Sequence, residues 1–368
     1  MTADFAPRLA RVLTEYCRPV KPGDAVLINA PTAAEPLVEA LVEAVLRRGG
    51  YPMMRVHLPN LTEIVMLHAS DEQFDFIDPG MMAQLERADI LYTILADENT
   101  RNLATIDPAR LARRQQGQRP YIERYLARCN DDSFGWNITA WPTQGAAQDA
   151  EMGLVTYREF CYRACGLDRD DPVAYWIALR DRQSRLVNWL AGRRRVEVRG
   201  PGIELTFSIE GRTWVNCHGI RNFPDGEIFT CPVEDSVNGS VAFNLPTVDQ
   251  GQELHGVRLV FRDGVVVEAS AGKGDDHLRA QLDLDAGARR LGEFAIGTND
   301  GIDRFTRNIL FDEKMGGTLH MALGRSAGGA GGVNQSAIHW DMVHRMRDGG
   351  EIRVDGELLY HNGEFALA

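Results

Sequence analysis

The sequence predicts two domains: an α/β domain with an open, mostly parallel sheet over residues 1–188, and a β-rich α+β domain over residues 189–368. Three observations carry this. At 368 residues the chain exceeds the roughly 250–300 at which a single hydrophobic core stops growing. Its first half alternates helix and strand patterns, the order of an α/β layer. From about Ala191 it changes to short alternating runs separated by turn signals.

Leu9 to Tyr16 has helical periodicity, and Asp24 leads into Ala25 to Ile28, an apolar run suited to a buried strand. A longer periodic segment from Glu35 to Leu46 follows and stops at Gly49-Gly50. Pro52 to Val56 and Ile90 to Ile94 read as the next strands, with a helix around Met81 to Arg87 between them. No G-x-G-x-x-G or Walker loop follows any of these strands, which argues against a dinucleotide site. Tyr175 to Leu190 reads as a connecting helix. Beyond it, Arg195 to Val198 and Ile203 to Ile209 flank a Gly-Pro-Gly turn. Val257 to Phe261 and Val265 to Val267 form a hairpin around Asp263-Gly264.

The formal net charge of −12 excludes extended nucleic-acid binding, which needs clustered Lys and Arg; the one basic run, Arg193 to Arg195, is short. Six cysteines stand without C-x-x-C pairs, so they make no disulfide framework, and Cys161 and Cys165 read as small buried hydrophobes in a helix. No apolar run is long enough to span a membrane and no secretory leader is evident, so a reduced cytoplasm is the expected location.

Chemistry concentrates in the last 150 or so residues, where acidic and imidazole groups gather in strand-like runs. In Ile338-His339-Trp340-Asp341-Met342, a period of two puts His339 and Asp341 on one face and the apolar residues on the other. Alone, this pair fits a divalent ion or an ordinary hydrogen-bonded pair. His320 stands in an apolar stretch bracketed by glycines, where a core histidine is the plainer reading. Glu227 and Glu293 each follow a glycine and each begin an apolar run. Such a carboxylate points to solvent or, if it points inward, needs a partner. Taken together, two imidazoles and three carboxylates form a plausible first set of ligands for one or two divalent ions. With no Cys among them, the set suits zinc, cobalt, manganese or iron.

At these residues the sequence resembles the thermophilic metalloprotease-type aminopeptidases, the family of aminopeptidases T and S. The resemblance spans nearly the whole chain. It includes Lys21 to Ile28 and Trp141-Pro142-Thr143, and is most specific at Asn222 to Thr230, Leu291-Gly292-Glu293, Leu310 to Lys314, Leu319 to Gly324 and His339-Trp340-Asp341. It implies a homodimer whose metal-dependent chemistry removes N-terminal residues from short peptides. Two divalent ions would sit on Glu227, Glu293, His320, His339 and Asp341, with Glu293 also serving as general base. One departure stands out. The family's tyrosine seven residues after the histidine of the Ala-Leu-Gly element, a source of an oxyanion donor, is replaced by Ala327. Arg325, Ser326 or Ser336 would then have to supply the donor. That loss leaves open a metal-dependent hydrolase of small non-peptide amides, or an inactive metal-stabilised protein. The fold also resembles ring-opening dioxygenases that use one non-haem iron, whose ligand set lacks counterparts of Glu293 and His320.

Overall fold

A computed structural model describes residues 4–130 and 134–367. By its contacts the chain forms two compact units. One runs to Tyr175 and takes back Gly219–Pro224; the other comprises Trp176–His218 and Asp225 onward.

The first unit is built on a five-stranded, wholly parallel sheet. Its strands are ordered Tyr51–His57, Ala25–Pro31, Ile90–Leu95, Gly135–Ala140 and Asn222–Phe223. The run Ala25–Pro31 lies inside the sheet, paired on both sides, and its Val26, Leu27 and Ile28 are all buried, as a strand covered on both faces requires. The helix Glu35–Arg47 buries Leu37, Val38, Leu41 and Val45, a stripe at helical spacing, and is closed by Gly49 in a left-handed conformation. Pattern reading overlooked the strand Gly135–Ala140, and the reason is physical. Its Asn137 and Thr139 interrupt the apolar run, yet both are buried, with Asn137 Nδ2 donating to Gly219 O at 2.9 Å. Cys161 and Cys165 are buried at the end of the helix Leu154–Ala164, and no disulfide forms among the described residues. Among those residues, no helix is long and apolar enough to cross a membrane.

The second unit packs an eight-stranded antiparallel sheet against a five-stranded antiparallel one. The helix Pro172–Leu190 contributes Leu186 and Leu190 to the core between them. From the larger sheet come Val196, Val198, Leu205, Phe207 and Leu259. From the smaller come Ile228, Phe294, Ile296, Leu319, Met321, Leu323, Trp340 and Met342. The expected hairpin joins Arg258–Arg262 to Val265–Ser270. Its Asp263 and Gly264 have φ of 48° and 77°, the two left-handed residues of a type I′ turn. The fold class read from the sequence is therefore the one observed, a parallel α/β unit followed by a β-rich one.

Candidate metal centre

The smaller sheet of the second unit carries the site. Its strands run in the order His339–Arg345, Thr318–Gly324, Leu291–Gly297, Glu227–Thr230 and Val215–Cys217. Antiparallel register sets Glu227 opposite Gly297, Glu293 opposite Ala322, His320 opposite Ala295, and Asp341 opposite Ala322. Because side chains alternate between faces, the polar residues all fall on one face, while Phe294, Met321, Trp340 and their neighbours fill the core on the other. The positions between the polar groups are Ala295, Ala322 and Gly297, so space is kept open among them.

Local devices aim these side chains. Glu293 does not begin its strand as the sequence suggested; it is the third residue, displaced by a bulge between Leu291 and Glu293. Gly292 makes the bulge possible, since a Cβ there would lie 2.4 Å from Gly324 O and 2.5 Å from Arg325 O. Gly226, with φ of 121°, turns the chain so that Glu227 enters its strand pointing inward. Gln183, fully buried, donates from Nε2 to Glu227 O at 2.8 Å and to Cys217 O at 2.8 Å, which fixes the backbone beneath that carboxylate.

The five residues singled out in the sequence meet. His320 Nε2 lies 3.5 Å from Glu227 Oε2, 3.5 Å from Glu293 Oε1 and 3.9 Å from Asp341 Oδ1. His339 Nε2 lies 3.3 Å from Glu293 Oε2 and 3.7 Å from Asp341 Oδ2. These gaps are long for hydrogen bonds. The three gaps to the glutamates match the spacing of atoms sharing one cation, because two ligands each about 2.0–2.2 Å from an ion at a tetrahedral angle stand roughly 3.3–3.6 Å apart, and the two to Asp341 are slightly wider.

Two further observations fit an ion. Each imidazole has its Nδ1 held by a backbone carbonyl, His320 by Glu313 O at 3.0 Å and His339 by Arg325 O at 2.7 Å. That partner fixes the tautomer which leaves Nε2 free to bind a metal. Glu227 Oε2 and Asp341 Oδ1 are buried with no hydrogen-bond partner. A buried carboxylate oxygen left so is costly, and a cation removes the cost. Moreover, both Glu293 and Asp341 direct one oxygen at His320 and the other at His339, so each can serve two ions, whereas Glu227 reaches only the His320 side.

The protonation pattern follows from this crowding. Burial opposes charge on the imidazoles, but the surrounding carboxylates outweigh it, holding His320 at about 10 and His339 at about 9. Burial pushes Glu227 up to about 8 against the pull of Lys314 and His320, and Asp341 up to about 6 against His339. Burial also acts on Glu293, yet the two imidazoles bring it down to about 2.

Pattern reading did not assign roles to three charged groups beside the cluster: Asp225, Glu313 and Lys314. Lys314 is buried, and its Nζ bonds Glu227 Oε1 and stands 2.7 Å from Glu313 Oε1 and 3.6 Å from Asp225 Oδ1. The signal was the charged triplet Asp312-Glu313-Lys314, which in a linear reading resembles a solvated turn. Arg325 is placed differently from the ligands: it is exposed, and what it contributes to the cluster is its backbone carbonyl. Ser326 Oγ accepts from Asn334 N at 3.1 Å, and Ser336 Oγ donates to Asp285 Oδ2 at 3.0 Å, so both hydroxyls are engaged in the loop. Ala327 packs against Phe229, Cys231, Ala295 and Ala330. The unit's one tyrosine, Tyr360, is buried in the core on the other sheet.

The profile of the thermophilic metalloprotease (M29) family matches residues 4–365. The chain belongs to that family. As a member of the thermophilic metalloprotease family it is a hydrolase of the metallopeptidase class. It is 28% identical to aminopeptidase 2 of Geobacillus stearothermophilus, over 95% of this chain and 94% of that protein. It is 27% identical to aminopeptidase T of Thermus thermophilus, over 97% and 95%. The solved structure of wild-type AmpT from Thermus thermophilus superposes with a TM-score of 0.87, covering 100% of both chains at 23% identity. A 2,5-dihydroxypyridine dioxygenase from Pseudomonas putida shares the fold at a TM-score of 0.58 and 14% identity, covering 99% of this chain and 97% of its own. In this member of the family, imidazoles and carboxylates gather on one face of the sheet, close enough together that they could hold a metal ion.

Proposed function

We propose that this chain is an aminopeptidase that hydrolyses the N-terminal peptide bond of short peptides, with two divalent ions held by Glu227, Glu293, His320, His339 and Asp341. The observation that carries the reading is the pair of imidazoles, each with Nδ1 pinned to a carbonyl and Nε2 turned toward the same two carboxylates. Its relatives aminopeptidase 2 and aminopeptidase T support N-terminal specificity. Zinc, cobalt or manganese suits a mixed nitrogen and oxygen set without thiolate.

When bound, such ions supply Lewis acidity, lowering the pKa of water and polarising a carbonyl. The protein's part is to hold the charges. Glu293 and Asp341 lie between the two imidazoles and would help to hold both ions. Glu227 completes the His320 side, while His339 is the more exposed imidazole, its side chain 26% accessible, and marks the side open to substrate. With Ala327 in the tyrosine position, the exposed Arg325 is the proposed oxyanion donor. The test is elemental analysis of protein purified without added metal, joined to turnover on amino-acid anilides, free dipeptides and simple amides. Two equivalents of metal with anilide and dipeptide hydrolysis is the expected result, and Arg325→Ala should lower turnover without changing metal content. Hydrolysis confined to simple amides would move the function to a non-peptide amidase, the second reading, which the absence of a phenol beside the ligands favours.

Metal uptake should be strongly pH-dependent. Without ions, His320, His339 and Glu227 all hold protons at pH 7, because their pKa values lie above it at about 10, 9 and 8. An ion competes with those protons, so affinity rises as pH rises toward 10 and falls on acidification. Titration calorimetry at pH 7 in buffers of different ionisation enthalpy should show about three protons released as both ions load, two from the His320 side and one from the His339 side. Heats independent of the buffer would contradict this assignment of protons.

A further inference from the structure

Beside the ligand cluster lies a second constellation able to take a cation. Cys217, Asp225 and Glu227 offer ligand atoms all within 4.8 Å of one another; Asp225 and Glu227 are buried and Cys217 is half-buried. Lys314 stands at that place. Its side chain is 3% accessible, its Nζ bonds Glu227 Oε1, and Glu313 Oε1 and Asp225 Oδ1 stand at 2.7 and 3.6 Å. The backbone holds it there. Lys314 N donates to Phe311 O at 3.0 Å, and Lys314 O accepts from Asn299 N at 3.0 Å, while Asn299 Nδ2 donates to Asp225 O at 2.8 Å.

We propose that Lys314 is a built-in cation of the metal cluster, a positioning residue that occupies the place a third ion would take and turns Glu227 so that one oxygen is left for the metal. The inference rests on the two-ion reading above. Glu227 has two oxygens with opposite fates: Oε1 is bound to the ammonium, and Oε2 is buried without a partner, 3.5 Å from His320 Nε2. A carboxylate tethered at one oxygen cannot rotate away or grip an ion with both, so it presents a single donor in a fixed direction. Charge makes the same case. Asp225, Glu227, Glu293, Glu313 and Asp341 are five carboxylates, and two divalent ions neutralise four of them. The ammonium of Lys314 accounts for the fifth. Without it, a buried negative charge would remain, to be met by a proton, by disorder or by another ion.

The test is a cobalt(II) titration of metal-free protein, read by calorimetry and by the visible absorption of the bound ion. Wild-type protein should take up two ions. In Lys314→Gln, the ion served by Glu227 should bind about 10–100-fold more weakly with an altered spectrum, the cost typical of losing a partner that orients a ligand, while the other ion binds as before. A loss of stability alone, from a merely structural lysine, would leave both binding events and the spectrum unchanged, and that result overturns the proposal. Should Lys314→Gln fail to fold, Glu227→Gln is compared with the neutral pair Glu227→Gln/Lys314→Met. If Lys314 acts through Glu227, the two proteins bind cobalt identically; a further loss in the double variant sinks the idea. Wild-type protein that takes up fewer than two ions would instead overturn the two-ion reading itself, so the two failures are told apart.

Discussion

Glu293→Gln is expected to abolish most activity by emptying both ion positions at once. Glu293 directs one oxygen toward each imidazole, at 3.5 and 3.3 Å, so it is shared where Glu227 and His339 each serve one side. A neutral amide keeps the volume but loses the charge that offsets two cations. Lewis-acid stabilisation of a transition state is worth several kcal/mol. Since each 1.36 kcal/mol is tenfold in rate, a loss of about 4 kcal/mol lowers turnover by roughly 10³-fold. Metal analysis should show both equivalents reduced, where His339→Ala loses mainly one. Full metal content in Glu293→Gln would remove Glu293 from the ligands proposed for both ions. The fold should persist, because the residues that flank Glu293 toward the core are untouched.

The next residue along the strand should behave in the opposite way. Phe294 points to the other face, is fully buried, and packs its ring 4.9 Å from that of Phe207 and 6.4 Å from that of Trp214. It therefore bridges the two sheets of the second unit. Truncation of a buried Phe to Ala costs about 3–5 kcal/mol, as transferred surface plus the cavity left behind. Urea unfolding of metal-free Phe294→Ala, followed by tryptophan fluorescence, should show a midpoint lowered accordingly, well beyond that of Glu293→Gln. A cost under about 1 kcal/mol would mean the sheets close over the gap. The pair of neighbours separates chemistry from stability along one strand, since alternation sends successive side chains to opposite faces.

Much of this was legible without coordinates. The strand Ala25–Pro31 and the helix Glu35–Arg47 announce themselves because their burial repeats at the period of their own backbone. The Asp263-Gly264 turn was legible for a similar reason: its two left-handed residues are of the types that tolerate them. The pairing of His339 with Asp341 on one face needed only the two-residue repeat. Elements whose polar residues find partners far along the chain were not legible. The strand Gly135–Ala140 hides behind Asn137, which is satisfied by Gly219. Glu293 was legible as a carboxylate that needs a partner if it points inward, but not as the third residue of its strand, because the bulge at Gly292 depends on the neighbouring strand.

The sequence by itself determined the class of fold, which is written in local period, and singled out five candidate donors through residue type and the family resemblance. Only the tertiary structure decided which oxygen of each carboxylate faces which imidazole, that Arg325 contributes a carbonyl to His339, and that Lys314 lies buried among three acids. The reason is that strand register, not sequence distance, sets these neighbours. Glu227 and Lys314 are 87 residues apart in the chain and in contact in the fold. A charged triplet that reads as a surface turn becomes an interior cation only when distant carboxylates are brought around it, and that arrangement has no local signature.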